Sequence, residues 1–315
     1  ADLIWVYTYR GCTMKLRALV LKACLFTLGV CLAPPAPADS QESIKLFISV
    51  DLEGIGGVGS PLMTSSGGKD YGISRQYMTQ EVNSVVAAIF EHIPSADILV
   101  NDSHGDHQNV LHGELDPRIS YIQGSIKPLG MVQGLDSSFD GAIFIGYHAK
   151  AGDPDGFLAH TGSGSVKGLW LNDVEVGEGG MNAAFAGSLG VPVILVSGDS
   201  AAAAELGQLL GSETVTTKTA ETPSSARLRH PDVVRAMLGE MTEVALERLR
   251  SNGFSPLELG SPVEIKMRFT STTHVDVLQS IPGMSKVDGY TVRYMARSMD
   301  EAYRLIRLMY RFVSA

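Results

Sequence analysis

Apolar runs recur along the chain and several of them close on an acidic residue or a histidine. Residues 44–50 read as a buried strand, and the glycine-rich stretch 54–59 cannot continue it. Met78, Val82, Val85, Val86, Ile89 and Ile93 form a stripe at helical spacing within residues 74–93. A strand at 97–101 then completes a β-α-β unit, which makes the two strands a parallel pair. Further strands are predicted at 141–146 and 191–196, and a hairpin at 166–176 turns at Asn172-Asp173. Helices are predicted at 181–189, 200–210 and 231–250. From about Pro262 the order is strand, helix, strand, helix, at 263–269, 275–281, 289–296 and 300–312. The expectation is an α/β fold: a mainly parallel sheet flanked by helices, with a smaller C-terminal α/β lobe. Residues 39–260 would form the metal-binding catalytic domain and residues 261–315 the βαβα extension. There are no internal repeats.

The first 38 residues carry a different signature. From Met14, basic Lys15 and Arg17 lead into an apolar core from Ala23 to Ala33 and then Ala36-Pro37-Ala38. That is the layout of a secretory signal peptide, with cleavage expected after Ala38 and a periplasmic or secreted product. The apolar stretch is too short for a permanent membrane span, so no stable membrane insertion is expected after processing. Residues 1–10 precede the candidate start methionine. A lipidated Cys31 is the weaker alternative, because Val30 is large for the position before a lipidated cysteine.

Processing changes the chemistry on offer. Cys12, Cys24 and Cys31 all fall in the pre-sequence, so the 277 residues from Asp39 hold no thiol. Any metal site must use histidine and carboxylate, which favours zinc or manganese over softer metals. Four of the 25 basic residues and one of the 34 acidic ones are lost, leaving 21 against 33 and a net charge of −12. With no basic stripe, nucleic acid is not an expected partner.

The candidate ligands sit where strands hand over to loops. Asp51 and Glu53 follow the first predicted strand, His104 the second and His148 the third; Glu178 precedes a helix and His160 lies in a loop. Each has an ordinary explanation when taken alone. Strand termini commonly carry solvated carboxylates, Asp102 and Ser103 suit a turn, and a core histidine can be satisfied by hydrogen bonds. Glu178 suits a helix N-terminus, and His160 could be surface decoration. Taken together, five ligands at one edge of a sheet suffice for two divalent ions with a bridging carboxylate, and open α/β folds place their sites there. His92, His107, His112, His230 and His274 receive no role. The 54–59 glycine run lacks the lysine and spacing of a nucleotide loop, and Gly162-Ser163-Gly164-Ser165 is no nucleophile elbow. Few Arg or Lys lie near these motifs to clamp phosphate.

Ser49-Val50-Asp51-Leu52-Glu53-Gly54, Asn101-Asp102-Ser103-His104, Gly146-Tyr147-His148-Ala149 and Val176-Gly177-Glu178 occur in this order. The combination resembles the D-aminopeptidases of the DppA type (peptidase family M55), from about Ile44 to the C-terminus. The resemblance implies a binuclear zinc site with Asp51 bridging and Glu53, His104, His148 and Glu178 completing coordination. It implies a catalytic role for His160, and homo-oligomeric rings of ten subunits. The implied reaction is hydrolysis of short peptides with an N-terminal D-residue, of the D-Ala type. A di-metal hydrolase of another bond, such as a phosphoester, and a non-enzymatic periplasmic metal-binding protein remain the alternatives.

Overall fold

The structure, a computed structural model, describes residues 44–313. The proposed signal peptide and its cleavage site lie outside the described residues. In chain order the elements are β1 (Lys45–Val50), α1 (Tyr71–His92), β2 (Asp97–Asp102), β3 (Ser120–Ile122), β4 (Gly141–Tyr147), β5 (Val166–Leu171) and β6 (Val174–Glu175). There follow α2 (Glu178–Ser188), β7 (Val193–Asp199), α3 (Ser200–Leu210), β8 (Glu213–Thr222), β9 (Ser225–Leu228) and α4 (Pro231–Arg250). The chain finishes with β10 (Val263–Phe269), α5 (Thr272–Leu278), β11 (Ser285–Asp288), β12 (Thr291–Ala296) and α6 (Met299–Val313).

Seven strands form the main sheet in the order β3-β2-β1-β4-β7-β8-β9, parallel throughout except for the β8–β9 hairpin. Both faces are covered, so its central strands are apolar at almost every position. The period of two still sorts them. Leu46, Ile48 and Val50 of β1 join Ile143 and Ile145 of β4 in a core with α1 and α4, whereas Phe47, Ala142 and Phe144 join a second core with α2 and α6. From β1 the chain first builds outward to β2 and β3, then crosses to β4 on the other side. The switch point therefore lies between β1 and β4, and a crevice opens at their carboxyl ends.

The smaller lobe is an antiparallel sheet in the order β11-β12-β10-β5-β6. Its strands come from both sides of residue 260, because β10 pairs with β5. Val263, Ile265, Met267 and Phe269 of β10 are buried and alternate with partly or fully exposed residues, as a one-sided sheet requires. Three strands of the fold carry weak sequence signals. β3 and β11 have only three and four residues, and β8 is rich in threonine and glutamate.

One buried hydrogen-bond chain ties the main sheet to α2 and α6. Ser103 Oγ meets Ser49 Oγ at 2.6 Å and Ser49 Oγ meets Tyr147 OH at 2.7 Å. Asn182 Nδ2 donates to Tyr147 OH at 2.9 Å, and Tyr303 OH donates to Asn182 Oδ1 at 2.7 Å. The chain runs from β1 and the β2 loop through β4 and α2 to α6. Among the described residues no helix is long and apolar enough to cross a membrane.

Candidate metal centre

The six candidate residues converge in the crevice at the switch point. β1 stops at Val50, so Asp51 and Glu53 leave from the loop after it rather than from the strand itself. That loop lies against the end of β4. Gly146 has φ +71°, and a Cβ there would run into the Asp51 carbonyl, so glycine is required for the approach. The glycine-rich stretch after Glu53 is filled from within. Gly56 N–H donates to Glu81 Oε1 at 2.6 Å, and the buried Lys218 ammonium donates to the carbonyls of Glu53 and Val58. A side chain of the protein itself thus takes the Gly56 N–H, the kind of group that a nucleotide loop would offer to phosphate.

His104 follows β2 on a turn held by Asp102, whose carboxylate accepts the N–H groups of Asn109 at 2.6 Å and Val110 at 2.9 Å. Asp102 caps amides as the sequence predicts, and by doing so it places the histidine. His148 follows β4. Glu178 is the first residue of α2 and accepts the Gly162 N–H at 2.6 Å, which joins it to the loop carrying His160.

The distances define one cluster. His104 Nδ1 lies 2.9 Å from Glu53 Oε2 and 3.2 Å from Asp51 Oδ1. His148 Nε2 lies 3.5 Å from both Asp51 Oδ2 and Glu178 Oε1, and His160 Nε2 lies 3.4 Å from Glu178 Oε1. The His148 and His160 rings stack at 3.9 Å. Two groups are compact enough to close on a single ion, Asp51–Glu53–His148 and His148–His160–Glu178. His148 belongs to both, whereas His104 belongs to neither and reaches the cluster through Nδ1 alone.

Hydrogen bonding decides what the histidines can do. A backbone carbonyl only accepts, so each ring nitrogen that meets one carries the proton. His104 Nε2 meets the Thr64 carbonyl at 2.7 Å, His148 Nδ1 that of Ala149 at 3.0 Å and His160 Nδ1 that of Leu158 at 2.8 Å. In the neutral rings the opposite nitrogen then presents a lone pair toward carboxylate oxygens. Lone pair against carboxylate is repulsive unless a proton or a metal cation sits between them. Fixing the tautomer through the far nitrogen is the usual outer support of a metal-binding histidine.

The electrostatics agree. Burial, with the neighbouring Glu53 charge, pushes Asp51 up to about 7. Burial opposes charge on His148, but the carboxylates of Glu178, Asp51 and Glu53 together outweigh it and carry the ring up to about 10. Burial works against Glu178 as well, and His148 holds it down at about 2. The buried carboxylates are therefore satisfied either by protons on His104 and His148 or by divalent cations in their place. The donor set, nitrogen and carboxylate oxygen without sulfur, fits zinc.

Comparison with known proteins gives the same chemistry a family. Residues 44–308 match the family model for peptidase M55, described as D-aminopeptidase. The chain belongs to the D-aminopeptidase family. A D-aminopeptidase from Bacillus subtilis (strain 168) is 35% identical over 268 residues, covering 84% of this chain and 96% of that protein. Among solved structures, the Zn-dependent D-aminopeptidase DppA from Bacillus subtilis, a self-compartmentalizing protease, has a TM-score of 0.81 at 34% identity. That match covers 85% of this chain and 97% of the other.

The D-aminopeptidase fold also brings residues to the crevice that the sequence reading passed over. His107, given no role there, is buried and lines the cavity beside His104. Arg307, Tyr310 and Arg311 of α6 line the same cavity. The expectation of few cations near the motifs fails here, because these arginines lie more than 120 residues beyond Glu178 in the chain and only tertiary packing delivers them. Their spacing of three and four on α6 could have marked a shared helical face, but nothing local tied that face to the metal ligands.

Proposed function

We propose that this chain is a zinc-dependent aminopeptidase that removes an N-terminal D-residue from short peptides. The observation that carries the reading is the set of three histidines whose tautomers are fixed by backbone carbonyls, each turning a lone pair toward one or two of three clustered buried carboxylates. Support comes from the D-aminopeptidase family match and the zinc dependence of the DppA relative. Asp51, Glu53, His104, His148 and Glu178 would hold the two zinc ions. The two carboxylate oxygens of Asp51 face different histidines, Oδ1 toward His104 and Oδ2 toward His148.

Zinc bound there supplies Lewis-acid polarisation of a carbonyl and acidification of water near neutral pH. The chain's own groups do the rest. The substrate amine binds at the carboxylate pole, where Glu53 lines both the cavity of the metal ligands and the cleft beside it. His160 is the more open of the two stacked histidines, with 31% of its side chain exposed against 1% for His148. Its Nε2 takes a proton from the attacking water and returns it to the leaving nitrogen, oriented by the Leu158 carbonyl on the far side. Glu178 fixes the spacing of His148 and His160.

The self-compartmentalizing relative supports a homo-oligomer for this chain, and we propose the ten-subunit ring. Export to the periplasm or beyond is proposed on the residue pattern from Met14 to Ala38. The reaction is tested by comparing release of D-Ala from D-Ala-D-Ala with release of L-Ala from L-Ala-L-Ala, with and without chelator. Chelator-sensitive turnover of the D-peptide alone is expected. Turnover that survives removal of metal, or turnover of the L-peptide alone, would overturn it.

A further inference from the structure

The cavity of the metal ligands also holds a buried cation without an anion. Arg307 is 6% exposed and lines a cavity of about 300 Å³ together with Asp51, Glu53, His104, His160 and Glu178. Its guanidinium donates to the Tyr310 hydroxyl and, at 3.0 Å, to the Lys127 carbonyl, while Nε is buried with no partner. Among the described residues no carboxylate comes within ion-pair distance of it. Buried arginines are almost always paired, because an uncompensated charge away from water is strongly unfavourable.

The position is built rather than incidental. Gly130 has φ +47°, and a Cβ on it would overlap the guanidinium carbon of Arg307. Tyr303, one turn earlier on α6, is anchored by the buried chain through Asn182 to Tyr147. Arg311, one turn later, is exposed and lines the same cavity. Lys127 adds a third cation behind them, and His107 is driven down to about 3 by burial first and then by Lys127, Arg307 and Arg311. A chain with a net charge of −9 has thus gathered positive groups and three carboxylates around one small cavity.

We propose that Arg307, with Arg311 at the rim, binds the C-terminal carboxylate of the substrate and so restricts the enzyme to very short peptides. This rests on the aminopeptidase reading and adds its second pole. An unblocked dipeptide carries an amine at one end and a carboxylate at the other, and the cavity is lined by both carboxylates and arginines. The planar guanidinium fork suits a carboxylate better than an ammonium would. A residue adds at most about 3.6 Å to an extended chain, and a cavity of this volume is at the low end for ligand sites. Longer peptides would have to displace the carboxylate from its arginine.

The test compares D-Ala-D-Ala with its C-terminal amide on the zinc-loaded protein. A charge-assisted contact of roughly 1.5–3 kcal/mol corresponds to roughly a 10- to 150-fold preference in kcat/KM for the free acid. In Arg307→Met that ratio should collapse to within a few-fold of one, and Arg307→Lys should restore part of it. Equal kcat/KM for acid and amide in the unmodified protein would overturn the proposal while leaving the peptidase reading intact. So would equal losses on both substrates in Arg307→Met, the result of a merely structural arginine. If neither peptide is cleaved, the peptidase reading falls, and calorimetry with N-acetyl-D-alanine and N-acetyl-D-alaninamide decides the arginine's role. Binding of the acid alone, lost in Arg307→Met, supports carboxylate recognition; equal binding of both refutes it.

Discussion

The two walls of the cavity are built in opposite ways. One consists of loops at the carboxyl ends of β1, β2 and β4, plus the first turn of α2, and each contributes a ligand next to an apolar strand or a helix start. The other is one face of α6, whose arginines sit among residues that pack the smaller lobe. On the first wall, the parallel topology itself places the chemistry, because every strand of such a sheet ends at the same edge. On the second, only the packing of α6 against the sheet gives Arg307 its address. A site made from strand ends is written locally in the sequence; a site made from a distant helix face is not.

The largest expected effects lie on the first wall. His148 belongs to both compact ligand groups, so His148→Ala should lose bound metal and all turnover, measured by zinc analysis and by D-Ala release. Full activity with metal retained would remove His148 from the centre. His160→Ala sharpens the distinction between ligand and proton carrier. As a general acid–base, its loss should lower kcat by about 10² to 10⁴ with both zinc ions retained. Loss of metal in parallel would make it a ligand instead.

The legibility of the sequence follows the same division. The helix stripe from Met78 to Ile89, the hairpin turning at Asn172-Asp173, and the helices at Ser200–Leu210 and Pro231–Arg250 all carry strong periodic or capping signals, and the structure has each of them. β8 shows no apolar run because its strand is half covered, and β3 is too short to show a period. Asp51, Glu53, His104, His148, Glu178 and His160 were readable as candidates because polar residues closing apolar runs stand out. Lys218 was not readable. A lysine in a threonine-rich strand looks solvated, and only the approach of the 54–59 loop buries it.

Smaller effects test the scaffold behind the first wall. Glu81 is buried beneath the glycine-rich loop, and burial raises its carboxyl to about 7. Folding therefore favours the protonated form. Stability from this group is complete below the ordinary value of 4.5 and is lost as pH rises through about 7. Glu81→Gln keeps the acceptor for Gly56 N–H without the charge. It should match the unmodified protein near pH 4 in denaturant unfolding and exceed it by about 3 kcal/mol above pH 7. Identical curves at both ends would show that the loop is not underlain by a protonated glutamate. Smallest of all, Tyr303→Phe removes one hydroxyl from the chain joining the two walls and should lower stability by about 1 kcal/mol. A drop of the acid-over-amide preference in that variant would show that the anchor also aims Arg307.

The most direct test of the account is zinc stoichiometry, measured on the unmodified protein and on Asp51→Asn after dialysis against a weak chelator. The account predicts two zinc ions per chain, falling to one or none when the residue between them loses a charge. No tightly bound zinc in the unmodified protein, or two ions undisturbed by Asp51→Asn, would contradict it.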